Sequence, residues 1–577
     1  MRNRTRLYFS IIKINGYTAG SMRALCWTSL VFATAVIVGR TSGLFAQSGE
    51  VNLPHIERVG QRAQLIVGGK PFLILGGELG NSSASTAAEA DEILPGLARA
   101  HVNTVLIPVP WEEIEPEEGH FDFAVLDHWI ERAHEQQMHL VLLWFGSWKN
   151  GVSSYTPGWV KADSRRFPRA IGADGQPLEV LSTLAESNVQ ADAKAFRSLM
   201  RHVREVDAGK DTVLMVQVEN EVGLIGATRD RSAVANRAFK EQVPPPLLNG
   251  LRARRLQLAP EVAMNLSEAT LAKAGTWSEV FGKVAPEIFM AWHYATYVQG
   301  VASAGKDEYA LPMFTNAQLP APKERAGDYP SGGPHAGMLD VWKAGAPVIY
   351  FFSPDIYWPE FAYWVDRFTV DDNPGFVPEA RLESGPWNAF YAFGEAGEFG
   401  FSPFAIDSLV SKGKPEQTDK RNPELSEMAQ AYGALQELTP LLPAAQVEGR
   451  VRGVVLHANS PRAFETVSLG GRLFHVELAR TWPARTLAQD DGALLVLQTG
   501  EKEFLLAGSA VQVTVTLDPD AASMDAQAAS GLSSVEEGTL INGVWTAGRR
   551  LNGDQTNQGR SVSLPAHSFQ VLRVKVY

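Results

Sequence analysis

The sequence predicts an α/β protein: a (β/α)8 TIM barrel followed by a smaller, antiparallel β-sandwich-like domain. Three observations predict it. From about Val51 to Leu442, short apolar runs alternate with amphipathic helical stretches, as βα units do. Eight such runs can be counted, the number that closes a barrel of this type. From about Val447 the texture changes to short alternating segments separated by Gly, Asp and Pro, the pattern of antiparallel strands. At 577 residues the chain exceeds one ordinary core, so more than one domain is expected.

Residues 1–46 carry six basic side chains (Arg2, Arg4, Arg6, Lys13, Arg23, Arg40) and no acidic one. The apolar stretch from Ala24 to Gly39 reads as the core of a secretory signal cleaved near Ala46. It is short for a membrane anchor, which needs about 20 apolar residues. Loss of those six cations takes the formal charge from −12 to −18. So acidic a chain is not expected to partner nucleic acid or an anionic membrane surface. The one cysteine, Cys26, lies inside the signal, which leaves the mature chain with no disulfide, thiol nucleophile or cysteine metal site. A periplasmic or secreted protein held by core burial alone is the expectation.

The domains are read as 47–442 for the barrel and 443–577 for the β domain, with the linker near Pro440 and Pro443. Strands are expected at 72–78, 104–110, 139–145, 212–219, 312–316, 348–354, 375–378 and 400–406. Asp122 can cap the helix after the second strand, with Leu126, Trp129, Ile130 and Ala133 on one face. A further helix begins near Asn188 and buries Phe196, Leu199, Met200 and Val203; another spans Trp387 to Gly397. About 67 residues separate strands three and four, so long loops or small elements must decorate that rim. Beyond 443, strands are expected at 450–456, 472–478, 493–498, 511–517 and 570–577.

Strand four ends in Val216-Gln217-Val218-Glu219-Asn220-Glu221, and strand seven in Phe376-Val377-Pro378-Glu379. A carboxylate is costly at the end of an apolar run unless it has a task. Two of them at the C-terminal ends of barrel strands point to glycoside hydrolysis, in which one carboxyl group protonates the leaving oxygen and the other attacks the anomeric carbon. The acid/base role falls to Glu221 and the nucleophile to Glu379. Glu219 competes for the acid role but reads better as a buried, paired support. Asn220 is placed to bond a sugar hydroxyl beside the reacting carbon.

These motifs resemble those of clan A glycoside hydrolases, and in detail those of glycoside hydrolase family 35, the β-galactosidases. The likeness rests on the strand-four run with Gly223, on Gly76-Gly77-Glu78-Leu79 with Asn81-Ser82-Ser83, and on Tyr329-Pro330-Ser331-Gly332-Gly333-Pro334. It extends over Pro378-Glu379-Ala380 to Gly400-Phe401-Ser402-Pro403-Phe404 and covers nearly the whole barrel. It implies a retaining exo-β-galactosidase with no cofactor or metal, and the bacterial branch suggests galactose side chains of xyloglucan. A β-glucosidase, an endo-acting enzyme or a sugar-binding protein on an inactive barrel are the rival readings. The chain departs from the family at Gly146-Ser147-Trp148, where Ala-Glu-Trp is common, and near Pro108-Val109-Pro110-Trp111, where a tyrosine is common.

Weaker candidates complete the expected site. Glu78 could grip a sugar hydroxyl or form a structural ion pair, and Asn81 lies just beyond it. Tyr357 could bond the nucleophile or simply pack; Asp355 precedes it. Trp148 and Trp111 could be sugar platforms or core, and Asn316 ends strand five. The run His134 to His139 is one residue too long for a zinc-binding His-Glu-x-x-His, and no phosphate or dinucleotide fingerprint occurs. The β domain could bind glycan, but a structural role is favoured.

Overall fold

An apolar run such as Val213-Leu214-Met215-Val216 needs cover on both faces, which a parallel barrel ringed by helices supplies. In the computed structural model the described residues are 53–577 without 256–257, 264–265, 267–273, 371, 411–424, 460–462, 481–490 and 520–529. The expected signal, with Cys26, lies outside them. Val51–Tyr577 forms one compact unit.

The chain opens on an antiparallel sheet of β1 (His55–Val59), β2 (Arg62–Val67) and β3 (Lys70–Phe72). Phe72, expected in the first barrel strand, belongs to this sheet. The first three barrel strands are β4 (Ile74–Glu78), β5 (Thr104–Pro110) and β6 (His139–Lys149). A hairpin, β7 (Arg169–Ile171) and β8 (Pro177–Leu181), and the helix Glu186–Asp207 fill the long stretch that follows. Then come β9 (Val213–Asn220), β10 (Met313–Gln318), β11 (Phe351–Ile356), β12 (Phe376–Ala380) and β13 (Gly400–Pro403). The eight strands close as a parallel barrel in the order β4-β5-β6-β9-β10-β11-β12-β13. All eight expected strands are present; β5 has the expected bounds and the other seven have shifted ends.

Helices wrap this barrel as the sequence pattern requires. Ala124–Glu135 buries Leu126, Trp129, Ile130 and Ala133, and Asp122 accepts the Ala124 N–H at 2.9 Å. Glu186–Asp207 buries Phe196, Leu199, Met200 and Val203. At the N-terminal strand ends, the rings of Phe314, Phe351, Phe376 and Phe399 pack 5.0–6.2 Å apart and plug the barrel. Chemistry is thereby left to the opposite, C-terminal rim.

Among the described residues ten antiparallel strands follow: β14 (Val451–Leu456), β15 (Phe464–Leu469), β16 (Arg472–Leu478), β17 (Gly492–Gly500), β18 (Glu503–Ser509), β19 (Val511–Leu517), β20 (Leu532–Ile541), β21 (Val544–Leu551), β22 (Ser561–Leu564) and β23 (Gln570–Val576). They form a six-stranded sheet, β14-β17-β18-β23-β20-β21, and a four-stranded one, β15-β16-β19-β22. Phe474 and Phe504 meet edge to face at 5.1 Å between the two, and Val476, Leu494, Leu506 and Val513 extend that core. The other face of the large sheet, through Leu495, Leu497, Leu505 and Ala507, belongs to the barrel's own hydrophobic cluster. Burial on both faces is why β17 reads Ala-Leu-Leu-Val-Leu instead of alternating. The segment expected as a linker is the helix Leu442–Glu448, tied to β2 by Gln64, which donates to the Pro443 carbonyl, and to the turn before β13 by Gln446, which donates to the Phe393 carbonyl, both at 2.9 Å.

Candidate active site

Glu221 follows directly on β9, and its conformation is forced by what surrounds it. Glu219 and Glu221 both have positive φ (64° and 44°), a costly geometry for residues other than glycine. Two features hold it. The Asn316 side-chain oxygen accepts the Glu221 N–H at 3.0 Å. Next, Gly223, at φ 149°, lies so close to Pro330 that a Cβ would stand 2.4 Å from its carbonyl carbon, and Leu224 pairs with Ser331 through two 3.0 Å hydrogen bonds. The Tyr329–Pro334 motif is therefore a brace for the end of β9. Tyr329 is itself anchored by donating to Glu287 at 2.7 Å.

Strand alternation would put residues 219 and 221 on one face, but the positive φ at both breaks it, and the two glutamates part. Glu219 accepts the backbone N–H groups of Ser147 (3.1 Å) and Trp148 (2.8 Å). Fully buried beside Asp192, it is held protonated well above the carboxylate range, by burial first and that like charge second. It is a support. Glu221 is also buried, and the Asn150 side-chain N–H donates to its carboxylate. Burial, then the charge of Glu379, raise it to about 7, against the lowering influence of Lys149, Asp355 and Asn150.

Glu379 lies on β12, level in register with Asp355 on β11, and accepts the Tyr357 hydroxyl. Asp355 accepts from Asn316 at 2.6 Å, so Asn316 ties the backbone of Glu221 to the carboxyl group beside Glu379. Burial and then the charges of Glu379, Glu221 and Glu78 keep Asp355 protonated well above its usual range. Glu78, at the end of β4, is raised in the same way, by burial first and Glu379 next. Four carboxyl groups from four strands thus feel one another across the C-terminal mouth of the barrel.

Several buried polar atoms at this end lack a hydrogen-bond partner among the described residues: Glu78 Oε1, both amide atoms of Gln217 and of Asn220, Asp355 Oδ1 and Glu379 Oε2. Such atoms are costly in a closed core and are what a polyhydroxylated ligand would satisfy. Asn220 therefore stands where the sequence reading put it, beside Glu221 with its amide free. Asn81 sits in the turn after β4, half-buried, and its side-chain oxygen too is buried without a hydrogen-bond partner among the described residues.

Trp148 must be corrected. It is fully buried between Tyr294 and Tyr297, at ring distances of 5.0 and 4.5 Å, and its indole N–H goes to the Leu181 carbonyl. Trp111 packs against Trp144 and Trp159 and donates to Glu115 at 2.9 Å. Both are core residues, because the Gly146-Ser147-Trp148 segment turns toward the helix Glu186–Asp207: Ser147 donates to Asp192 at 2.6 Å.

Two residues of the site were missed from sequence, Lys149 and Asn150. Lys149 and Val152 exchange backbone hydrogen bonds of 2.9 and 3.1 Å around Asn150 and Gly151, both at positive φ. This is the two-residue hairpin turn that Asn-Gly favours, and that dipeptide was the available signal. Lys149 is buried and pairs in register with Asn220. Among the described residues no His/Cys/Asp/Glu group could hold a metal ion.

Residues 84–245 match the family model of glycoside hydrolase family 42, described as β-galactosidase, and 428–563 match a domain of unknown function (DUF5597). No curated protein matches the chain. Similar solved structures include a β-galactosidase from Bacillus circulans sp. alkalophilus (14% identity, 64% of this chain and 56% of that one, TM-score 0.44). A β-galactosidase from Marinomonas ef1 (13%, 65% and 60%, TM-score 0.42) and the β-amylase catalytic domain of Paenibacillus polymyxa (13%, 60% and 96%, TM-score 0.41) are others. This chain thus spans under two thirds of the length of either galactosidase. The matching model is that of family 42 where the motifs resemble family 35, and it spans the stretch that carries β5, β6, β9 and Glu221.

Proposed function

We propose that this chain is a retaining β-galactosidase working by double displacement, with Glu221 as acid/base and Glu379 as nucleophile. One observation carries the reading. Two glutamates 158 positions apart press on each other's charge at the barrel mouth, and one of them holds its proton to about 7 while the other receives a tyrosine hydroxyl. In the first step a carboxylate oxygen of Glu379 attacks the anomeric carbon as Glu221 gives its proton to the departing oxygen. In the second, Glu221 takes a proton from water, which displaces Glu379 from the glycosyl ester. Asn220 and Glu78, with free buried atoms, are assigned to sugar hydroxyls.

Galactose as the sugar, release from chain ends, xyloglucan as a source and the family 35 affiliation are inferred from the motifs quoted above, with the family 42 match in support of galactose. Export rests on the composition of residues 1–46. A panel of nitrophenyl glycosides, with product anomers followed by NMR, tests the proposal. It predicts preference for the β-galactoside and release of β-galactose first. Preference for the glucoside, or initial release of the α-anomer, would contradict it.

A further inference from the structure

A buried lysine among carboxyl groups needs an explanation, because moving an ammonium out of water costs several kcal/mol unless it is compensated. Lys149 is 4% exposed, and its ammonium makes no direct ion pair or hydrogen bond among the described residues; it lies over the ring of Phe145, 4.9 Å from the centroid. The hairpin turn at Asn150-Gly151 fixes its backbone, and register with Asn220 sets it beside the end of β9. Within its electrostatic reach are Glu379 from β12, Glu78 from β4, Glu221 after β9 and Asp355 from β11, and Tyr155 feels its charge as well. So dry a cluster tolerates a net charge near zero. One ammonium therefore allows one carboxylate, while Glu78, Glu221 and Asp355 all retain protons above the usual range.

We propose that Lys149 is a positioning residue of this centre, its ammonium standing as the fixed counter-charge to the one carboxylate, Glu379, that must be ionised for attack. The inference rests on the acid and nucleophile roles assigned above. It carries a second consequence. Lys149 opposes the lift that burial and Glu379 give to Glu221, and so sets the pH at which the general acid loses its proton. Among the described groups that act on Glu221, Lys149 is the one cation; Asp355 and Asn150 lower its pKa through hydrogen bonds.

The experiment compares the pH dependence of kcat/KM for wild type, Lys149→Met and Lys149→Arg. With the cation removed, the alkaline limb of Lys149→Met moves to higher pH by about 1–3 units, and Lys149→Arg keeps the wild-type position within about half a unit. A Lys149→Met profile that overlays wild type overturns the proposal, whatever the loss in rate. The same titration can be read without turnover by infrared difference spectroscopy, as the carboxyl band lost in Glu221→Gln. Its midpoint rises in Lys149→Met if the proposal holds, and an unmoved midpoint overturns it. Should the protein cleave no β-galactoside, that spectroscopic arm still decides the role of Lys149, so the two failures remain distinct.

Discussion

The proton on Glu221 is held by burial first and by the Glu379 carboxylate second, so in the proposed mechanism its loss, near pH 7, sets the alkaline edge of activity. The free enzyme's kcat/KM therefore falls tenfold per unit above about pH 7, which a stopped assay across pH 5–9 would show. Asn150 donates to the carboxylate form and favours the loss of that proton. Asn150→Ala accordingly shifts the edge upward and, because the acid is less well aimed, lowers kcat about 10–100-fold. Tyr357→Phe removes the hydroxyl on Glu379 and is expected to cost a similar factor in kcat with little change in KM. Glu221 and Glu379 were legible in the sequence because a carboxyl group ending an apolar run is conspicuous. Lys149 and Asn150 were not, because they belong to a turn that is built only after β6 runs four residues past its apolar stretch.

Elements at the barrel ends carry strain and charge that the body of the barrel does not. Gly223 allows β9 to pass against Pro330; Gly223→Ala should cost about 2–4 kcal/mol and displace Glu221, so that melting temperature and kcat/KM fall together. At the other end, Glu398, just before β13, is buried and accepts from Thr369, and burial lifts its pKa to about 8. Its folded-state value lies above the unfolded one, so the stability it contributes is present at low pH and is lost as pH rises from about 4.5 to about 8. Glu398→Gln, neutral throughout, should match wild type near pH 4 and exceed it by up to about 3 kcal/mol at pH 8, measured by urea unfolding. The eight strands were readable because each is an apolar run of a barrel covered on both faces. The small sheet β1–β3 and five of the ten described C-terminal strands were not: β21, for one, is largely exposed and polar, so no apolar run marks it.

On the scale of the whole molecule, the barrel and the C-terminal sheets are one unit, since the large sheet gives one face to the sandwich and the other to the barrel's cluster. A boundary near 442 is visible in the sequence as a change of texture, yet texture reports strand content and not which surfaces are shared. A chain cut after Leu442 would expose the apolar face that Leu495, Leu497 and Leu505 cover, and should be recovered in the insoluble fraction. The intact protein should give one calorimetric transition; two separate ones would show that the sheets stand alone.

All of these expectations turn on which carboxylate bonds to sugar. Incubation with a 2-deoxy-2-fluoro-β-galactoside bearing a good leaving group, followed by proteolysis and mass spectrometry, reads that directly. Attachment of one fluorosugar per chain to the peptide containing Glu379, and its absence in Glu379→Gln, is the predicted result. A label on any other residue would contradict the account.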